Sequence, residues 1–117
     1  MKRALFTVFM LISTSAMADP TTIQAVTATQ TGGAWRFDVT VKHPDTGWDH
    51  YTDAWRVLDM NGAELGMREL HHPHVDEQPF TRSLSGVTIP EGTKQVQIQA
   101  RCSVDGWSGN TKTVRLP

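Results

Sequence analysis

The chain has 117 residues, a formal net charge of −1 and one cysteine. Eleven basic against twelve acidic residues leave no electrostatic footprint for nucleic acid, so we expect no nucleic-acid partner. A chain of this length supports one small hydrophobic core and hence one domain.

The N-terminal segment has the pattern of a secretory signal peptide. Two basic residues precede the apolar run 4–12, and small residues then lead to Ala18, a typical cleavage position. The apolar run is too short to cross a bilayer as a helix, and no cysteine follows it to carry a lipid. We therefore predict a signal peptide at 1–18 and a single domain at 19–117. This domain would be periplasmic or secreted, with no transmembrane segment after cleavage.

The domain alternates apolar and polar residues with a period of two, which predicts half-buried strands. In chain order the predicted strands are 22–29, 34–41, 51–60, 64–70, 81–89, 95–102 and 113–117. The side chains predicted to face the core are Trp35, Phe37, Val39, Val41, Trp55, Val57, Val96, Ile98, Ala100 and Cys102.

Turn residues separate these strands at a spacing of about ten residues, and no helical stripe of useful length interrupts them. Asn61-Gly62 predicts a two-residue hairpin turn, and the segment 105–110, "DGWSGN", predicts the turn before the last strand. The pattern predicts an all-β protein, an antiparallel two-sheet sandwich of about seven strands.

The segment "SLSGVTIPEGTKQVQIQARCSVDGWSG" at 83–109 resembles the passage from strand E to strand F of fibronectin type III and immunoglobulin-like domains. This resemblance implies an immunoglobulin/fibronectin III-like sandwich. Two further segments, 43–57 and 72–84, resemble small exported bacterial proteins of unassigned function, and that resemblance implies no activity.

The run "HHPHVDEQPF" at 71–80 is the most polar motif of the domain. The interpretation that we favour is a polar, solvent-facing loop whose histidines cap backbone groups or pair with Asp and Glu. Imidazole and carboxylate ligands also suit Zn²⁺ or Cu²⁺, so the alternative is a metal site formed by His72 and His74 with Glu77 or Asp76, and a further ligand from His43 or His50. A fibronectin-like topology would put this run at the opposite end from the loop 43–50.

Cys102 lies at the inward end of its predicted strand, which favours a buried small hydrophobe. A soft metal ligand, an intermolecular disulfide and a catalytic thiol are the alternatives. The last of these requires a histidine that folding brings close.

Aromatic side chains in predicted loops suggest a surface for a partner. Trp48, Tyr51 and Trp107, together with His50, are predicted to share one end of the sandwich and to bind an unknown protein or glycan.

Catalysis is not expected, because so small a domain has few apolar residues left to wall off a water-poor pocket. The sequence therefore predicts an exported, non-enzymatic binding or interaction module without a certain cofactor. The alternative is a periplasmic protein that binds Zn or Cu through the run 71–77.

Overall fold

The computed structural model describes residues 20–117, so the predicted signal peptide lies outside the described residues. All seven predicted strands are present. They are β1 (Thr22–Thr31), β2 (Ala34–Lys42), β3 (Thr52–Leu58), β4 (Glu64–Glu69), β5 (Phe80–Val87), β6 (Gln95–Cys102) and β7 (Gly106–Arg115). Within residues 20–117 no helix is long and apolar enough to cross a membrane.

The strands form two antiparallel sheets, a three-stranded sheet of order β1-β2-β5 and a four-stranded sheet of order β4-β3-β6-β7. The all-β, two-sheet prediction is therefore confirmed. Side chains from the inner faces of the two sheets interdigitate, as sandwich packing requires.

The core consists of the predicted alternating rows. Trp35, Phe37, Val39 and Val41 project inward from β2, and Val96, Ile98 and Ala100 face them from β6. Trp55 of β3, which pairs with Ala100 of β6 in the same sheet, is fully buried. Burial of these side chains supplies the main driving force for folding, at about 1.5–3 kcal/mol for each large one.

Because consecutive strands run in opposite directions, every second connection lies at the same end of the sandwich. The segments 43–51, 70–79 and 103–105 connect β2 to β3, β4 to β5 and β6 to β7, so all three meet at one end. We call this the histidine end. The prediction that the run 71–80 lies opposite the loop 43–50 was therefore wrong, since strand alternation puts both at this end.

Two local predictions also need correction. In the β3–β4 turn the backbone N–H of Asp59 donates a 2.8 Å hydrogen bond to the carbonyl of Ala63, with three residues between them. Gly62 adopts the left-handed conformation (φ 87°). This geometry is a three-residue hairpin loop rather than a two-residue one. The last strand begins at Gly106, because the turn before it is completed within 103–105.

Candidate metal site

Two inward-facing rows, one from each sheet, end in a metal-binding residue type at the histidine end. His43 follows Val41 in the alternation of β2, and Cys102 follows Ala100 as the last residue of β6. His43 has 1% of its surface exposed and Cys102 has 5%. The alternation that builds the core therefore also carries an imidazole and a thiol into the interior at the same end.

His50 completes the cluster from the loop between β2 and β3. A bridge between Gly47 and His50 closes this loop and turns the imidazole back toward His43. The two rings meet edge to face with centroids 4.9 Å apart. Candidate ligand atoms of His43, His50 and Cys102 all lie within 4.8 Å of one another.

Two nitrogens of this cluster are buried without a hydrogen-bond partner. They are Nε2 of His43 and Nε2 of His50, which find no donor or acceptor within residues 20–117. A buried polar atom without a partner costs about 1–3 kcal/mol, so such atoms need an explanation. A metal ion about 2.0–2.3 Å from each donor would satisfy both nitrogens and the thiolate together.

The Asp45 carboxylate fixes the orientation of His43. Its Oδ1 lies 2.6 Å from Nδ1 of His43 and accepts a 3.0 Å hydrogen bond from the backbone N–H of Thr52. Its Oδ2 accepts a 2.9 Å hydrogen bond from the backbone N–H of His74. With Nδ1–H donated to a carboxylate, the lone pair of the ring is on Nε2, which is the arrangement found behind metal-binding histidines.

The β6–β7 turn brings a second carboxylate to the cluster. Asp105 Oδ2 lies 3.8 Å from Nε2 of His50, and the Asp105 side chain is 36% exposed. Two hydrogen bonds between Ser103 and the backbone of Tyr51 hold this turn beside the loop that carries His50.

A surface cleft of about 360 Å³ adjoins the cluster. Cys102 and Asp105 form part of its wall, and Thr21, Trp107 and Asn110 form other parts. The cleft therefore reaches the cluster at Cys102 and Asp105, whereas His43 and Asp45 are buried.

The predicted ligands of the run 71–80 are not arranged as a four-ligand shell. The rings of His72 and His74 lie together, with centroids 4.4 Å apart, but Glu77 and Asp76 are exposed. His74 has only 4% of its surface exposed, so the expectation of a wholly solvent-facing loop was wrong for this residue. Its backbone hydrogen bond to buried Asp45 draws it inward. A metal site in this loop stays a prediction.

His74 is also paired with a cation. Its ring stacks on Phe80 at 3.8 Å between centroids, and its Nε2 accepts a 2.9 Å hydrogen bond from the Arg82 guanidinium. Burial lowers the pKa of His74 below its usual value, and the positive charges of Arg82 and His72 lower it further. A guanidinium this close would repel a bound cation, which makes the His43 cluster the better metal site.

The residues of the predicted partner surface make two separate sets of contacts. Trp48 is 68% exposed and contacts the ring of Tyr51 edge to face, with centroids 5.7 Å apart. Trp107 does not lie in a loop. It is half-buried in β7, where the guanidinium of Arg56 lies 3.8 Å from its ring centroid and that of Arg101 lies 5.1 Å away. The assignment of these residues to partner binding stays a prediction.

The sequence predicts His43 only as a further ligand of the run 71–80, and it predicts Cys102 as a core residue, with metal ligation among the alternatives. The signal that points to them is the continuation of the two inward rows to the same end. Their convergence depends on long-range contacts. The pairing of β3 with β6 puts Thr52 opposite Cys102, and the backbone N–H of Thr52 donates a hydrogen bond to Asp45, which contacts His43.

No family model matches the chain. The "Putative lipoprotein" of Halomicrobium mukohataei is 41% identical over 90 residues, which cover 76% of this chain and 44% of the relative. The chain thus spans less than half the length of that relative. Lipoproteins are a class of exported protein, so this likeness agrees with the predicted export. The finer prediction, that the protein is periplasmic or secreted, stays a prediction.

Two solved structures share the fold. The hypothetical protein PH1083 from Pyrococcus horikoshii OT3 has a TM-score of 0.56 and 15% identity, with 84% of this chain and 89% of that chain covered. A superoxide reductase in the oxidized state has a TM-score of 0.52 and 15% identity, with 84% and 90% covered. Neither is a fibronectin domain, so the finer prediction of an immunoglobulin/fibronectin III-like family stays a prediction.

The prediction that the chain is not an enzyme was wrong. It rested on the idea that a sandwich of this size cannot house a reactive site, and superoxide reductase is an enzyme with the same fold. Small size therefore does not exclude catalysis, because metal-ion catalysis does not need a large enclosed pocket.

Proposed function

We propose that this protein holds a redox-active transition metal between His43, His50 and Cys102 and uses it to reduce a small oxidant, with superoxide as the first candidate. The observation that carries the proposal is the convergence of these three donors with two buried, unpartnered imidazole nitrogens. The fold shared with superoxide reductase supports the proposal by analogy only, because a shared fold does not fix a function.

The donor set favours a redox metal. Imidazole nitrogen and thiolate sulfur together suit iron, copper and zinc, and the hard ions Mg²⁺ and Ca²⁺ prefer oxygen ligands. Zinc has no accessible second oxidation state, so iron or copper would be the active ion. When bound, such an ion would supply one electron, and superoxide takes up that electron with two protons to give hydrogen peroxide. An external reductant must then restore the ion.

The residues of the chain have separate tasks in this proposal. Asp45 holds the His43 ring with its Nε2 toward the donors of the cluster, through the 2.6 Å contact to Nδ1. The buried side of the cluster excludes water, while the cleft beside Cys102 admits a small molecule. The solvent-exposed position of Asp105 at this cleft gives protons a route from bulk water.

Metal loading and superoxide consumption test this proposal. The domain 19–117, reconstituted without oxygen with Fe²⁺, Cu⁺ or Zn²⁺, should bind about one ion per chain. The redox-active form should then consume superoxide, and the zinc form should not. Cys102→Ser should lose the activity and most of the affinity, whereas His71→Ala, a change at an exposed imidazole, should keep both.

Equal binding and activity in Cys102→Ser and in the unmutated protein would refute the site. If His72→Ala with His74→Ala removes the metal instead, the ion belongs to the run 71–77 as first predicted from sequence. Circular dichroism of each variant without metal checks that the fold is retained.

A second function, recognition of a protein or glycan partner, is supported by a different observation. Trp48 exposes 68% of its surface and is supported by Tyr51, and large exposed aromatic side chains are typical anchors of interfaces. Trp48 and His50 belong to the same loop, so a partner bound there would sit beside the cluster.

A further inference from the structure

We infer that Asp105 is the fourth ligand of the metal site and the one that an incoming molecule from the cleft displaces. This inference rests on the proposed function, since it presupposes that an ion occupies the His43–His50–Cys102 cluster. It deepens that proposal by naming the open coordination position and the side from which small ligands arrive.

The first argument is position. Asp105 Oδ2 lies 3.8 Å from Nε2 of His50, a buried nitrogen without a hydrogen-bond partner in residues 20–117. The distance is too long for a hydrogen bond, but it is close to the separation of two donors that share one ion. His43, whose side chain is fully buried, points its own unpartnered Nε2 into the same cluster.

The second argument is the rigidity of the turn. Cys102 pairs with Gly106 across the β6–β7 hairpin, so only 103–105 lie between the two strands. Gly106 adopts a left-handed backbone conformation with φ 75°, which a residue with a side chain rarely takes. Ser103 is tied to Tyr51 by two hydrogen bonds, so the turn keeps Asp105 beside His50.

The third argument is charge. A divalent ion bound by two neutral imidazoles and one thiolate would leave one positive charge at the buried end of the sandwich. The buried Asp45 carboxylate offsets part of this charge through His43, and Asp105 is placed to bind the ion directly through an anionic oxygen. The other nearby carboxylate, Asp45, is already engaged by three hydrogen bonds and faces Nδ1 of His43.

The fourth argument is exposure. Asp105 is 36% exposed, whereas Cys102 and His43 are buried, and Asp105 and Cys102 both line the cleft of about 360 Å³. The most exposed ligand on the open side is the one that a molecule in the cleft can replace without disturbing the core. Small anions such as azide would therefore compete with the Asp105 carboxylate.

Cobalt titrations test this inference through spectroscopy, without reference to activity. Co²⁺ bound to the unmutated domain should show sulfur-to-cobalt charge-transfer bands, which report Cys102. Asp105→Asn should keep these bands, lower the Co²⁺ affinity at least about tenfold and bind azide more tightly. Asp49→Asn is the matched control, because Asp49 is an exposed carboxylate of the neighbouring loop. It should behave as the unmutated protein does.

The outcomes separate the two proposals. If Asp105→Asn keeps the charge-transfer bands and binds both Co²⁺ and azide as tightly as the unmutated domain does, Asp105 is not a ligand. The three-residue site would then still stand. Absence of the bands in the unmutated domain would overturn the metal site and this inference with it. Asp105→Ala should repeat the result of Asp105→Asn, and a loss of fold in one variant leaves the other to decide.

Discussion

Replacement of Asp45 by Asn should weaken both the fold and the metal site, although it removes only one charge and no volume. The carboxylate is fully buried and accepts three hydrogen bonds, from His43 Nδ1, the backbone N–H of Thr52 and the backbone N–H of His74. An amide offers one oxygen and one NH₂ group. Whichever way it turns, the NH₂ group faces a donor, and at least one buried N–H loses its acceptor.

The expected loss of stability follows from these contacts. A hydrogen bond to a charged group contributes about 1.5–3 kcal/mol, and an unsatisfied buried donor costs about 1–3 kcal/mol. We therefore expect Asp45→Asn to lower the free energy of unfolding of the metal-free domain by about 2–4 kcal/mol. For a domain of about this size the melting temperature should fall by roughly 10–25 °C. Metal affinity should fall about 10–100-fold, as for other residues that orient a metal-binding histidine.

Urea unfolding of the metal-free domain and Co²⁺ titration of the folded domain measure the two effects separately. Asp76→Asn is the matched control, since Asp76 is an exposed carboxylate in the run that packs over Asp45. Its unfolding free energy should stay within about 0.5 kcal/mol of the unmutated value. If Asp45→Asn is as stable as Asp76→Asn and binds Co²⁺ equally well, Asp45 does not organise the histidine end.

The remaining predictions concern pH and the aromatic residues. Burial and the Arg82 charge lower the pKa of His74 below its ordinary value of 6.5, so as the pH falls the unfolded chain is protonated before the folded one. The stability of the metal-free domain should therefore be complete above about pH 6.5 and fall as the pH drops toward the lower folded-state pKa. Urea unfolding at several pH values should show this slope reduced in His74→Gln and unchanged in His71→Gln. Trp48→Ala should change the unfolding free energy by less than about 0.5 kcal/mol, because its ring is exposed. The same substitution should abolish the binding of a partner at that loop, measured by pull-down or calorimetric titration. Trp107→Ala should cost about 1–2 kcal/mol in urea unfolding because it removes a ring packed against Arg56, and a loss below 0.5 kcal/mol would contradict that packing.

The sequence by itself determined the fold class and the core. Alternation with a period of two marked the inward rows of β2 and β6, and turn residues marked the intervals between strands, because both signals are local consequences of strand geometry. The same alternation placed Cys102 inside, as the structure confirms.

Only the tertiary structure decided which polar residues meet. The run 71–80 has the densest set of histidines in the sequence, yet the three candidate ligands that converge are His43 and His50 of one loop and Cys102, which is far from both along the chain. These three residues meet because the two sheets pack face to face and because the connections that carry them lie at the same end of the sandwich. These are long-range properties, and no local pattern of residue types contains them.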